Sequence, residues 1–179
     1  MVISYHGAGC FKISQGDLAL VTNPQSKMSA DITLFSNGRN ETSEKSGFII
    51  DGPGEYEIKD VFIKGFLSEG ASPKINTIYL ISFEGMNICF LGELAGAVLS
   101  EETLESIEDV DILFAPVNAY KLSVSLEPSV IIPMYYTEAT LRQFLKEGGE
   151  EKVESLDKFV VKKKDLEDKE GEIVVLKEE

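Results

Sequence analysis

The segment ITLFSNGRNETSE, Ile32 to Glu44, runs from an apolar stretch straight into a polar loop holding Arg39, one of only two arginines in the chain. Loops that leave core strands are where binding and catalytic side chains are set. Arg39 and the amides and acids around it are therefore the first candidates for chemistry. His6 is the only histidine, and histidine is the residue type most used as a general base near neutral pH. As a general base it needs a nucleophile beside it, and no serine, cysteine or aspartate is tied to it by spacing. Glu55 and Glu57 alternate along DGPGEYE (51–57), so a strand would place both on one face as paired carboxylates. On an edge strand of so acidic a chain, the same pair is simply solvated. The glycines there could cradle an anion on backbone N–H groups. Their spacing matches no phosphate loop, and a Pro-Gly turn entering a strand accounts for them. Tyr120 and the pair Tyr135–Tyr136 offer hydroxyls and flat faces, to a pocket or to packing. Cys10 and Cys89 sit in apolar runs, the setting of buried reduced thiols. Lys162, Lys163 and Lys164 are flanked by acids and read as a solvated strand end.

The first half of the chain, which must position these residues, reads almost wholly as strands. VISY (2–5), CFKIS (10–14) and LALVT (18–22) are broken by Gly7, Gly9 and Gly16-Asp17. DITLF (31–35) and GFIID (47–51) follow. EYEI (55–58) and VFIKGF (61–66) flank Lys59-Asp60, a two-residue hairpin, and NTIYLISF (76–83) and NICFL (87–91) flank Glu84-Gly85-Met86, a second one. The second half adds helices. Ser100 reads as an N-cap with Glu101 and Glu102 in the positive first turn, Leu104 and Ile107 on one face, and an end before Asp111. DILFAPV (111–117) and SVIIPM (129–134) are continuous apolar strands, as in sheet positions buried on both faces. Thr137 caps a second helix, with Leu141, Phe144 and Leu145 inward and Gly148-Gly149 as its stop. KFVVKKK (158–164) and EIVVLK (172–177) read as a closing strand pair. About twelve strands and two or three helices fit stacked sheets with helices outside.

The 179 residues suffice for one well-buried core and are short for two domains. The net charge of −14 opposes nucleic acid and anionic membrane surfaces as partners. The start MVIS lacks the charged region of a signal peptide, and no apolar run nears the ~20 residues that span a bilayer. The expectation is a soluble, cytoplasmic protein.

Several fragments resemble one known family. ISYHGAGCFKI (3–13) is similar to its opening strands, and VTNP (21–24) stands where it has an Asp-Pro turn. DGPGEYEIKDVFIKGF (51–66), FLGELAGAVLSEETLESIEDVDILFAPV (90–117) and IIPMYY (131–136) resemble further segments. The family is the metallo-β-lactamase fold superfamily, in its small stand-alone Zn-dependent hydrolase branch, near the ascorbate-6-phosphate lactonase-like proteins. The resemblance implies an α+β fold, a four-layer αββα sandwich in reduced form, as a single domain over 1–179.

That family binds one or two metal ions through His-x-His-x-Asp-His after the strand read here as DITLF. On this chain the motif falls on Asn37, Arg39, Glu41 and Thr42, with no histidine. Later ligand positions fall on Glu93, where the family has Asp, and Tyr135, where it has His; an early histidine position falls on Ala8, two residues past His6. Residues 118–127 look shortened, with only Tyr120 surviving from a Tyr-Thr-x-Asp stretch. Zinc sites are built from imidazole, thiolate and carboxylate. The acids Glu41 and Glu93 with Asn37 suit a hard cation better, but Arg39 among them would oppose any cation. Either Arg39 takes the place of the metal between the two acids, or it points into solvent from a drifted loop.

The resemblance thus implies a vestigial pocket of Asn37, Arg39, Glu41, Thr42, Glu55, Glu57, Glu93, Tyr120 and Tyr135, with no zinc and no other cofactor expected. The expected function is that of a non-catalytic binding or interaction protein for an unidentified ligand or protein, its oligomeric state left open. The alternative is an active hydrolase with an atypical metal site or none.

Overall fold

A computed structural model of the chain describes residues 1–38, 47–70, 75–96, 98–150 and 152–179. Arg39, Glu41 and Thr42 lie outside the described residues.

Antiparallel pairing of consecutive strands organises most of the first half. Strands β1 (Val2–Tyr5), β2 (Phe11–Gln15) and β3 (Leu18–Thr22) run antiparallel. β4 (Ile32–Leu34) and β5 (Phe48–Ile50) then add in parallel. β6 (Gly54–Ile58) and β7 (Val61–Glu69) turn at Lys59 and Asp60, both in left-handed backbone at φ 52° and 63°. That is the geometry of a tight hairpin whose twist matches its strands. β8 (Ile75–Phe83) and β9 (Met86–Phe90) turn at Glu84 and Gly85 alone, so Met86 belongs to the strand and pairs with Phe83.

From β9 the chain crosses in parallel through helix α1 (Glu101–Ser106) to β10 (Ile112–Pro116), then through α2 (Tyr120–Ser125) to β11 (Val130–Met134). Helix α3 (Glu138–Glu147) leads to β12 (Phe159–Val160), a 3-10 turn at Lys163–Asp165 and β13 (Glu172–Ile173). The result is two mixed sheets, ordered β12-β1-β2-β3-β4-β5 and β13-β11-β10-β9-β8-β7-β6. They stack face to face: Phe11 of one and Phe114 of the other have ring centroids 4.5 Å apart. β10 and β11 are buried at every residue, as their unbroken apolar runs require. This is an α+β sandwich of two stacked sheets, as the resemblance implies, with its short helices in the second half of the chain.

The closing strand pair is a misreading. β12 adds to β1 and β13 to β11, in different sheets, so each end of the tail covers a separate sheet edge. Leu156, just before the first segment, bridges to Leu176 of the second, and the Lys177 ammonium reaches Asp157. The lysine run is no strand end either. It enters the 3-10 turn, from which the Lys163 ammonium grips both carboxylate oxygens of buried Asp111 at 2.7 Å. Helix α2 was not expected. α1 is short enough that Thr103 and Ile107 are buried while Leu104 is exposed. Ser100 caps α1 by accepting from the Thr103 N–H, and Thr137 caps α3 through a reciprocal bond with Thr140.

Candidate functional site: a hydrogen-bonded cluster at the strand ends

Strands from both sheets end on one side of the sandwich, and the chain leaves them through left-handed backbone at Ala8 after β1 (φ 51°), Asn23 after β3 (39°), Gly92 after β9 (68°) and Tyr135 after β11 (54°). Outside tight turns, non-glycine residues in such conformations are uncommon and cluster at sites whose surroundings hold them there. Ser36 and Asn37 follow β4 at the same place, and Glu93 follows Gly92.

The Asn23 amide nitrogen donates to Ser36 Oγ and to the Tyr135 hydroxyl, each at 2.9 Å, while its oxygen accepts from the Ser36 N–H at 2.8 Å. The Asn37 amide donates to Glu93 Oε2 at 3.1 Å. Asn76, fully buried on β8, donates to Leu91 O and accepts from the Glu93 N–H. Two bonds cross between the sheets beside it, from Thr77 N to Ser36 O at 2.7 Å and from the Tyr79 hydroxyl to Phe35 O at 2.8 Å. The Tyr135 N–H donates to Ala8 O. Burial, and then the charge of Glu93, push the Tyr135 phenol up to about 12, against the lowering effect of its bond from Asn23. It is a neutral hydroxyl at physiological pH. Burial likewise pushes the nearby Cys10 thiol up to about 11, and Cys10 donates to the Met28 sulfur.

Of the residues singled out from sequence, Asn37, Glu93 and Tyr135 converge in this cluster. Arg39, Glu41 and Thr42 lie outside the described residues, and with them the pairing of Arg39 with the two acids. Glu55 and Glu57 are solvent-facing on β6, the edge strand, with the Lys64 ammonium 3.5 Å from Glu55. Tyr120 opens α2 and packs edge-on against Phe144, where it borders a cavity of about 650 Å³ with Val124, Pro128 and Lys169. Ser4 Oγ and Glu179 Oε2 lie 3.0 and 3.7 Å from the His6 ring, but both at Nε2. A relay needs the acid on the opposite ring nitrogen, so this is no catalytic triad. Asn23, Ser36 and Asn76 were missed, because small amides and hydroxyls carry no signature until their strands are brought together. The one available signal was the polar Thr-Asn-Pro ending of an apolar strand at residues 22–24.

Among the described residues no three His, Cys, Asp or Glu side chains come together as metal ligands. Among the described residues the cluster holds the Glu93 carboxylate, the amides of Asn23, Asn37 and Asn76, the Ser36 hydroxyl and a neutral phenol, with the Cys10 thiol nearby and pushed up by burial to about 11. This set does not fit zinc, which takes imidazole, thiolate and carboxylate.

The family model for the beta-lactamase superfamily domain matches residues 2–135. A Thermotoga maritima structure, assigned to the Zn-dependent hydrolases of the metallo-β-lactamase superfamily, superposes with a TM-score of 0.83 at 27% identity, covering 99% of both chains. A metallo hydrolase from Ignicoccus hospitalis gives 0.63 at 14% identity, over 90% of this chain and 99% of its own. The metallo-β-lactamase fold protein YhfI from Bacillus subtilis gives 0.61 at 8%, over 98% and 96%. These last two share the fold alone. No curated protein matches the sequence.

Proposed function

The chain belongs to the metallo-β-lactamase superfamily, and on that premise we propose that it is a non-catalytic member, a binding or interaction protein rather than a hydrolase. One observation carries this reading: Glu93, the carboxylate of the described cluster, is already engaged by the Asn37 amide, and the neighbouring Tyr135 offers a neutral phenol where a metal site would need a stronger ligand. Hydrolysis in a metal site rests on an ion that lowers the pKa of bound water and polarises the scissile group. The described donors here would hold no zinc, although the Thermotoga relative carries the Zn-dependent description. His6, the only histidine, has its serine and its acid on the same nitrogen, so it forms no Ser-His-acid relay for metal-free acyl transfer.

The test is turnover of esters, lactones, phosphodiesters and β-lactams with Zn²⁺ or Mn²⁺ added. Rates equal to those in buffer are expected. Reproducible turnover that disappears in Glu93→Gln contradicts the proposal and favours an active hydrolase with an atypical site.

A further inference from the structure

We infer that the Tyr135 hydroxyl is a strut within the strand-end cluster that ties the two sheets together, doing through hydrogen bonds what a bridging metal ion does where donors for one exist. A metal site contributes folding energy because it draws ligands from separate elements to one point. The Tyr135 hydroxyl joins separate elements in the same way. Tyr135 follows β11 of the seven-stranded sheet, while Asn23 and Ser36 follow β3 and β4 of the six-stranded one. The Asn23 amide spans the gap with bonds of 2.9 Å to both hydroxyls.

The backbone is moulded around this strut. A Cβ on Gly9 would lie 2.2 Å from the Tyr135 hydroxyl oxygen, so only glycine lets the phenol seat. A Cβ on Gly92 would lie 2.1 Å from Asn76 Oδ1, on the other side of the same cluster. Ala8, Asn23 and Tyr135 hold left-handed backbone there, which a cluster of satisfied polar groups can enforce and a loose loop cannot. This role is independent of whether the protein turns over a substrate.

The test is a double-mutant cycle of Tyr135→Phe and Asn23→Gly in denaturant unfolding, with amide hydrogen exchange on the Tyr135→Phe protein. Tyr135→Phe removes one oxygen, and glycine at position 23 accepts the positive φ, so local strain does not obscure the cycle. Each single change is expected to lower the folding equilibrium constant ~10-fold, the cost of orphaning a buried donor or acceptor. The two losses should not multiply, because the second change removes a partner already lost. The Ser36 and Tyr135 amides should exchange faster in Tyr135→Phe, with Ile13 unchanged. Losses that multiply, or a Tyr135→Phe protein with wild-type unfolding and wild-type exchange at Ser36, would overturn the inference. Should Asn23→Gly fail to fold, the exchange pattern of Tyr135→Phe alone decides.

Discussion

At the scale of single residues, the candidate site was half legible. The resemblance carries the family's ligand positions onto Glu93, Tyr135 and Asn37, and the fold brings these three residues together. Asn23, Ser36 and Asn76 were not legible, because their importance comes from hydrogen bonds between strands distant in sequence. Glu55 and Glu57 face solvent on β6, the edge strand, and Tyr120 packs against Phe144 from α2, the plainer of the two readings that each residue admits. Burial sets two predictions at this scale. The Tyr135 phenol ordinarily titrates near 10.0 and is pushed up to about 12 in the fold. Its folded pKa lies above its unfolded one, so its contribution is fully present below pH 10 and is lost as pH rises toward 12. Wild-type stability should therefore fall across that window, and Tyr135→Phe should fall less steeply, as denaturant midpoints measured at several alkaline pH values will show. The thiols follow the same sign. With Cys10 pushed up to about 11 and Cys89 to about 12, both should resist a disulfide reagent at pH 8 until denaturant unfolds the chain. Fast labelling of the native protein at that pH would contradict their burial.

At the scale of elements, local chemistry made the hairpins and caps readable, and the ends of the chain misled. Lys59-Asp60 and Gly16-Asp17 announce tight turns by residue type, and the strands beside them pair in the register those turns impose. β12 and β13 are two residues long. So short a strand has no periodicity of its own; its partner is chosen by which sheet edge lies open, and that is a tertiary fact. The same limit hid α2, whose six residues are positioned by the crossover from β10 to β11. Where local signals govern, substitutions should act locally. Thr137→Ala removes the side-chain acceptor that caps α3 and should cost ~1 kcal/mol in denaturant unfolding. Glu84 holds φ 54° at the β8–β9 turn, a conformation asparagine adopts more readily, so Glu84→Asn should stabilise by about 0.5 kcal/mol. A destabilised Glu84→Asn would mean that the turn is held by contacts of the glutamate rather than by backbone preference.

At the scale of the whole molecule, stacked sheets, doubly buried central strands and an acidic surface were all visible in the sequence, because they follow from apolar periodicity and charge alone. What those features do not determine is whether the strand ends hold an ion. No described helix is long and apolar enough to cross a membrane, and the net charge of −14 repels anionic surfaces. The proposal of a non-catalytic protein therefore depends on what gathers at the strand ends. The most direct measurement is the metal content of untagged protein purified without chelator, together with its melting temperature before and after EDTA. A bound ion stabilises the fold by mass action, so its removal cannot be silent. The account predicts no stoichiometric transition metal and an unchanged melting temperature. A full equivalent of zinc, with a fall of several degrees on chelation, would contradict it.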